Sequence, residues 1–494
     1  MTNPLLQQVD LPAFGSIQPE HAEPAIDELL RRNRAALVDR LRGTQTYNWA
    51  NLLAPLEEYE DRLQRAWSPV SHLHAVADNE ALRKAYNACL PKLTEYETEL
   101  GQNEELYAAF KQIAAGSEYG RLDAAQRKIV DNGLRDFRLS GIGLPAGPRA
   151  RFKDIQQELC RLETKFEENL LDATHAWTCH VPDVGTLQGL PDPVLALAAH
   201  QARQRDRVGW LLTLDFAMYL PVMQHAEDET LRREMYEAYV TRASDQGPNA
   251  GKWDNSGLMI DILALRRELA ALLGYGSYAE VSLVRKMARS PAEVLGFMQD
   301  LARRSRSVAE VEFAELKDFT RTHYGVTELN AWDVAFYSEK LRRHRFDFSD
   351  EDLRPYFPLP SVLHGMFEVV RRLYGVRVAE RSGVDAWHPD VRFFELRDAN
   401  GLPRGAFYLD ACARAGKRSG AWMNDCVTRR RIGARVQKPV AFLVCNFMPP
   451  VDDRPSLLTH DEVMALFHEF GHGLHHMLTL VDYAGVSGMH GVPW

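Results

Sequence analysis

The chain has no CxxC pair, and its six cysteines (Cys89, Cys160, Cys179, Cys412, Cys426, Cys445) are scattered over 494 residues. That density is far below that of small secreted domains stapled by disulfides. The thiols are expected to be reduced and packed as small hydrophobes, Cys445 included, because it sits inside an apolar run. No stretch approaches the ~20 uninterrupted apolar residues of a membrane span. Residues 1–12 lack both the basic start and the apolar centre of a secretory signal. Together these absences predict a soluble cytoplasmic protein. No Lys/Arg block is interleaved with aromatics, and the formal charge is −9, so nucleic acid is excluded as an expected partner. No repeat recurs at solenoid periods. Gly247-Pro248-Asn249-Ala250-Gly251-Lys252-Trp253 is one residue short of a phosphate loop and has Trp253 where a hydroxyl is needed. Gly485-Val486-Ser487-Gly488 is likewise one residue short of a nucleophile elbow. Both are expected to be turns.

What is present is a chain too long for one ordinary core, with 45% hydrophobic residues to fill two or more lobes. The first two-thirds read as helices. Ile26, Leu29, Leu30, Leu37 and Leu41 return to one side of a helix opened by Pro19 and Pro24, while Arg31, Arg32 and Arg34 turn away. A second helix starts at Ser256 and carries Leu258, Ile262, Leu265, Leu269 and Leu272 to Gly274 near its end. A third opens on the capping-box pattern Ser290-Pro291-Ala292-Glu293 and runs through Val294, Met298 and Leu301. Between about residues 392 and 447 short apolar runs predict a small sheet, with strands at 391–396, 405–411 and 439–447. The last run is apolar on both faces, as in a buried strand.

The residues that carry chemistry lie near the C-terminal end. Thr459-His460-Asp461-Glu462 is a capping box, and Val463, Leu466, Phe467, Phe470 and Leu474 continue it as an apolar helix to about Leu478. Within it, His468 and His472 are four apart, so both imidazoles can reach one tetrahedral Zn²⁺. Glu469, rotated by about 100° from His468, is placed to act on a zinc-activated water as general base during attack on a peptide carbonyl, and then to protonate the leaving amine. Gly471 puts a helix-weakening residue where close approach of another backbone would account for it. The competing reading is two core histidines and a solvated glutamate on an amphipathic helix. His475 and His476 are expected to support or flank the site, since a third ligand from the same helix closes a tetrahedron poorly. Asp482 and His490 are the nearby candidates for a third ligand, and neither lies in a recognisable second helix.

The run Phe467 to His476, with Gly420-Ala421-Trp422-Met423, Lys438-Pro439-Val440-Ala441, Ser140-Gly141-Ile142-Gly143-Leu144, Arg354-Pro355-Tyr356-Phe357 and Trp387-His388-Pro389-Asp390, resembles the thimet oligopeptidase family of zinc metallopeptidases along the whole chain. The resemblance implies a mainly α fold with a zincin-like (gluzincin) catalytic core: two helical lobes flanking a deep channel, a small β-sheet, and the zinc-binding HExxH helix at the channel floor. It divides the chain into an N-terminal helical region, residues 1–255, and the start of a catalytic region, residues 256–494. It implies a monomeric metalloendopeptidase for short peptides, with substrate extended against strand 405–411 or 439–447. It also implies a third zinc ligand, a glutamate beyond Trp494, in the helix after a Ser-Gly turn that Ser487-Gly488 matches. By this reading the 494-residue chain is a fragment, weakly active or inactive, with apolar helix faces left uncovered. The alternatives are a peptidyl-dipeptidase of the same family and a non-catalytic peptide-binding scaffold.

Overall fold

A computed structural model describes residues 3–7, 9–43, 46–451 and 455–493. The fold is mainly helical with small sheets, as the sequence predicts. The first predicted helix spans Pro19–Gly43 with Ile26, Leu29, Leu30, Leu37 and Leu41 buried. The second spans Ser256–Leu272, followed by Gly274 at φ +80. The third spans Pro291–Tyr324, but its start differs from a capping box. Ser290 accepts from the Glu293 amide, whereas the Glu293 carboxylate accepts from Arg289 N at 2.7 Å instead of from Ser290. The apolar residues of its first half stay outside the cores of the described residues, with Leu295, Met298 and Leu301 at 55%, 60% and 50% exposed, whereas Leu316 near its end is buried against Phe336 and Tyr337.

Nine strands occur among the described residues: β1 Thr178–Val181, β2 Trp210–Thr213, β3 Arg377–Glu380, β4 Arg392–Arg397, β5 Pro403–Cys412, β6 Trp422–Val427, β7 Arg430–Ile432, β8 Arg435–Gln437 and β9 Val440–Phe447. β1 pairs with β2, β7 with β8 across the Gly433 turn, and the main sheet runs β3-β4-β5-β9-β6. Only β5 and β9 are parallel in it. The three predicted strands are β4, β5 and β9 within a residue or two. The others are short or, like β6, carry polar residues mid-strand, so their apolar signal is weak.

The alternation of side chains along β5 and β9 fills two layers. Phe407, Leu409, Leu443 and Cys445 face the helices Leu359–Tyr374 and His460–Leu478, where Val362, Leu363, Met366, Leu466, Phe470 and Met477 complete one core. Tyr408 and Phe442 face the opposite way, onto Phe14, Leu73 and Trp387. This is why the β9 run is apolar on both faces. Cys445 is fully buried, and all six cysteines are free thiols.

The loop after β5 ties the sheet to the helix Ala54–Val76. Arg414 Nη2 donates to Val76 O at 2.9 Å, Arg418 N to Ala75 O at 2.8 Å, and Asp78 N to Gly416 O at 2.8 Å. At its centre Asp410, 2% exposed, accepts from Arg414 at 2.6 Å through both carboxylate oxygens, from Lys417 Nζ at 2.7 Å and from Trp387 Nε1 at 2.8 Å. Lys417 also donates to the carbonyls of Cys412 and Cys445, at the C-terminal ends of β5 and β9.

His72 belongs to the same joint. Its ring stacks on Phe442 at 3.7 Å and meets Trp387 edge-on, and neither nitrogen has a hydrogen-bond partner among the described residues. Burial pushes its pKa down to about 3, a shift that Lys417 and Arg414 reinforce and Asp410 opposes. The unfolded chain takes up this proton near pH 6.5 and the native one does not. The stabilisation is therefore complete above pH 6.5 and declines as the pH falls toward 3. At pH 5 the loss is about 2 kcal/mol. His72→Phe, which keeps the stack, is expected to be as stable as the parent at pH 8 and more stable at pH 5, measured as urea midpoints at the two pH values. Equal pH dependence in both proteins would refute the assignment.

Candidate metal centre

The helix His460–Leu478 begins and ends where the sequence predicts. Glu462 N donates to Thr459 Oγ1 at 3.1 Å and Thr459 N donates to Glu462 Oε2 at 2.8 Å, completing the capping box. Arg354, itself buried, braces this start by donating to Leu457 O at 2.8 Å. Two glycines set how closely the helix lies on the sheet. A Cβ at Gly405 of β5 would stand 2.9 Å from Met477 Cβ and 3.0 Å from Pro439 O, and one at Gly473 would stand 3.1 Å from Leu443 Cδ2. Gly471, where the sequence suggests a close backbone, has no atom of the described residues within 4 Å of its Cβ position. The close approach within the chain is at Gly473, because that side of the helix faces β9.

The opposite side presents the histidines. His468 is exposed and His472 half-buried. Their Nε2 atoms converge to 3.1 Å, with the rings 4.7 Å apart and 89° to each other. Two nitrogens bound to one tetrahedral zinc at 2.0–2.1 Å are about 3.3 Å apart, so this donor pair fits the ion. Glu469 is buried, 8% exposed, and close enough to Cys445 of β9 for its charge to add to burial in raising the pKa of that thiol.

The remaining candidates are engaged elsewhere. Asp482 accepts from Arg429 Nη2 and Arg431 Nε, each at 2.7 Å. His490 pairs with Asp425 at 3.5 Å. Burial would raise the Asp425 carboxyl, but His490 holds it down to about 2, and the same contact raises His490. His475 is exposed. His476 is fully buried, and its Nε2 donates to Val427 O at 3.0 Å. Gly488, at φ +56, packs so tightly on it that a Cβ would lie 2.9 Å from His476 Cα. His476 thus links the helix His460–Leu478 to β6 and to the Ser487-Gly488 turn. This role has no signal in the sequence beyond the paired histidines. Among the described residues, no group of three or more His, Cys, Asp or Glu side chains is arranged to hold a metal.

The sheet corrects the expected peptide-binding strand. β5 lies between β4 and β9, and β9 between β5 and β6, so both edges of strands 405–411 and 439–447 are occupied. The edge beside β9 belongs to β6. Its Asp425 O accepts from Ser68 Oγ and its Val427 O from His476.

Residues 222–494 match the model of peptidase family M3, and residues 26–149 match the N-terminal domain of neurolysin and thimet oligopeptidase. Oligopeptidase A of Salmonella typhimurium is 53% identical over 495 aligned positions, covering 100% of this chain and 73% of that protein. Dipeptidyl carboxypeptidase of Escherichia coli is 31% identical, covering 98% and 71% respectively. A solved structure of a putative oligoendopeptidase F superposes with a TM-score of 0.50 at 15% identity, covering 94% of this chain and 64% of that one, a likeness of fold alone. Among the described residues no helix is long and apolar enough to cross a membrane.

Proposed function

The chain belongs to peptidase family M3, a family of metallopeptidases, and from that premise we propose that it is a cytoplasmic zinc endopeptidase for short oligopeptides. The observation that carries the proposal is the convergence of His468 and His472 to 3.1 Å on the open side of a helix whose next residue is Glu469. Zinc held by the two imidazoles would supply Lewis acidity and lower the pKa of water to about 7. The Glu469 carboxylate takes a proton from the attacking water, holds it and returns it to the nitrogen of the departing amine. Asp482 and His490 have other partners, so neither is assigned as a further ligand.

The peptide main chain is assigned to the free edge of β6 at Trp422, Met423 and Asn424, where strand addition gives affinity with little side-chain selection. The N-terminal helical region, residues 1–255, and the catalytic region, residues 256–494, would flank the channel that admits the peptide to a monomeric enzyme. Identity to oligopeptidase A exceeds that to dipeptidyl carboxypeptidase, 53% against 31%, which favours internal cleavage over release of C-terminal dipeptides.

Zinc-loaded chain should cleave a blocked and a free nonapeptide at the same internal bonds, with activity lost to a chelator. A requirement for a free C-terminus would favour the peptidyl-dipeptidase. Turnover that survives removal of zinc by the chelator would refute the metal assignment.

A further inference from the structure

Gly471 occupies the middle of the 19-residue metal helix, between the two histidines. Three observations separate it from the other glycines near this site. Its backbone is not at positive φ, so no turn or cap demands glycine there. Its Cβ position is open, with no atom of the described residues within 4 Å, whereas Gly473, Gly405 and Gly488 each face an atom at 3.1 Å or less. It is exposed on the same side as His468. Glycine weakens a helix interior relative to alanine, and nothing in the packing of this chain compensates at Gly471.

We infer that Gly471 is a substrate-positioning residue: the bare helix backbone beside the histidine pair lets the main chain of a bound peptide lie close enough for its scissile carbonyl to face His468 and His472. The inference rests on the peptidase reading above. A peptide is the favoured occupant because the carbonyl to be attacked must come to the metal that these nitrogens would hold, and Gly471 lies three residues from one imidazole and one from the other. A methyl group here would stand between the peptide and the helix. Exposed Phe467 and Met464, on the preceding turn of the same face, continue the surface with apolar side chains.

The test uses the Glu469→Gln chain, so that bound peptide persists, and a blocked, fluorescein-labelled octapeptide read by anisotropy with zinc present. Gly471→Ala in that background is expected to weaken peptide binding tenfold or more and Gly471→Val further. Zinc affinity by chelator competition should stay within twofold. The Tm of the alanine variant should rise by about 1–2 °C, because the site has room and alanine is the better helix former. A loss of stability on going to alanine would show that packing requires the glycine, and would overturn the inference. A weakened zinc site would assign Gly471 to metal binding and overturn it too. Unchanged peptide affinity with zinc bound would overturn it alone. A parent chain that binds neither zinc nor peptide would overturn the peptidase reading along with it.

Discussion

Replacing Glu469 by glutamine is expected to lower kcat/KM for a short peptide by about 10³-fold, while bound zinc and peptide affinity stay within about twofold of the parent. The amide has the shape of the carboxylate but cannot accept the proton that must leave the attacking water, nor return it to the amine. Glu469 sits on a helix fixed by its capping box and by Leu466, Phe470 and Met477 in the core, so an isosteric change should not move His468 or His472. Chelator-competition zinc titration and peptide anisotropy, run beside the kinetics, separate this outcome from misfolding. The scaffold alternative makes the opposite statement, that Glu469→Gln changes nothing measurable. An unchanged kcat/KM would remove Glu469 from the mechanism.

Asp410→Ala is expected to destabilise the chain by about 3–5 kcal/mol, the range for removing one partner of a buried ion pair. Lys417 is fully enclosed, with 0% of its side chain exposed, and would keep carbonyl partners but lose its counter-charge. Arg414 would lose both of its carboxylate bonds while still bound to Val76 O. The damage should fall on the joint between the sheet and the helix Ala54–Val76. Trypsin is therefore expected to cut the loop at 414–418 sooner than in the parent, and the urea midpoint to drop. Asp410→Asn, which keeps the acceptor oxygen for Trp387 or Lys417, should fall between parent and alanine variant. A midpoint unchanged by Asp410→Ala would mean that the two cations are already solvated in solution.

Parts of this architecture are legible in sequence because they are local. The helix His460–Leu478 is started by Thr459 and Glu462, three residues apart, and its apolar positions recur with helical spacing, so its limits can be read from about twenty consecutive residues. β9 announces itself by a continuous apolar run that fills two layers, and β4 and β5 by the shorter runs Phe393-Phe394 and Ala406–Leu409. β6 does not, since Asn424 and Asp425 break its pattern. The Pro291–Tyr324 helix is equally legible as an element, yet its period could not say whether Leu295 and Met298 would find a partner.

The sequence by itself determined that His468 and His472 share a helix face and that Glu469 points elsewhere, because four residues and one residue along a helix translate directly into angle and height. Strand order, by contrast, is a long-range property. Whether β5 or β6 has a free edge depends on β5 pairing in parallel with β9, far along the chain, and on β6 folding back on the outer side. Only the tertiary structure could leave β6, not β5 or β9, at the edge of the main sheet, place the close helix-sheet approach at Gly473 and not Gly471, and tie Asp482 and His490 to partners away from His468 and His472. Each of these depends on atoms brought together from distant segments, and local spacing carries no record of such meetings.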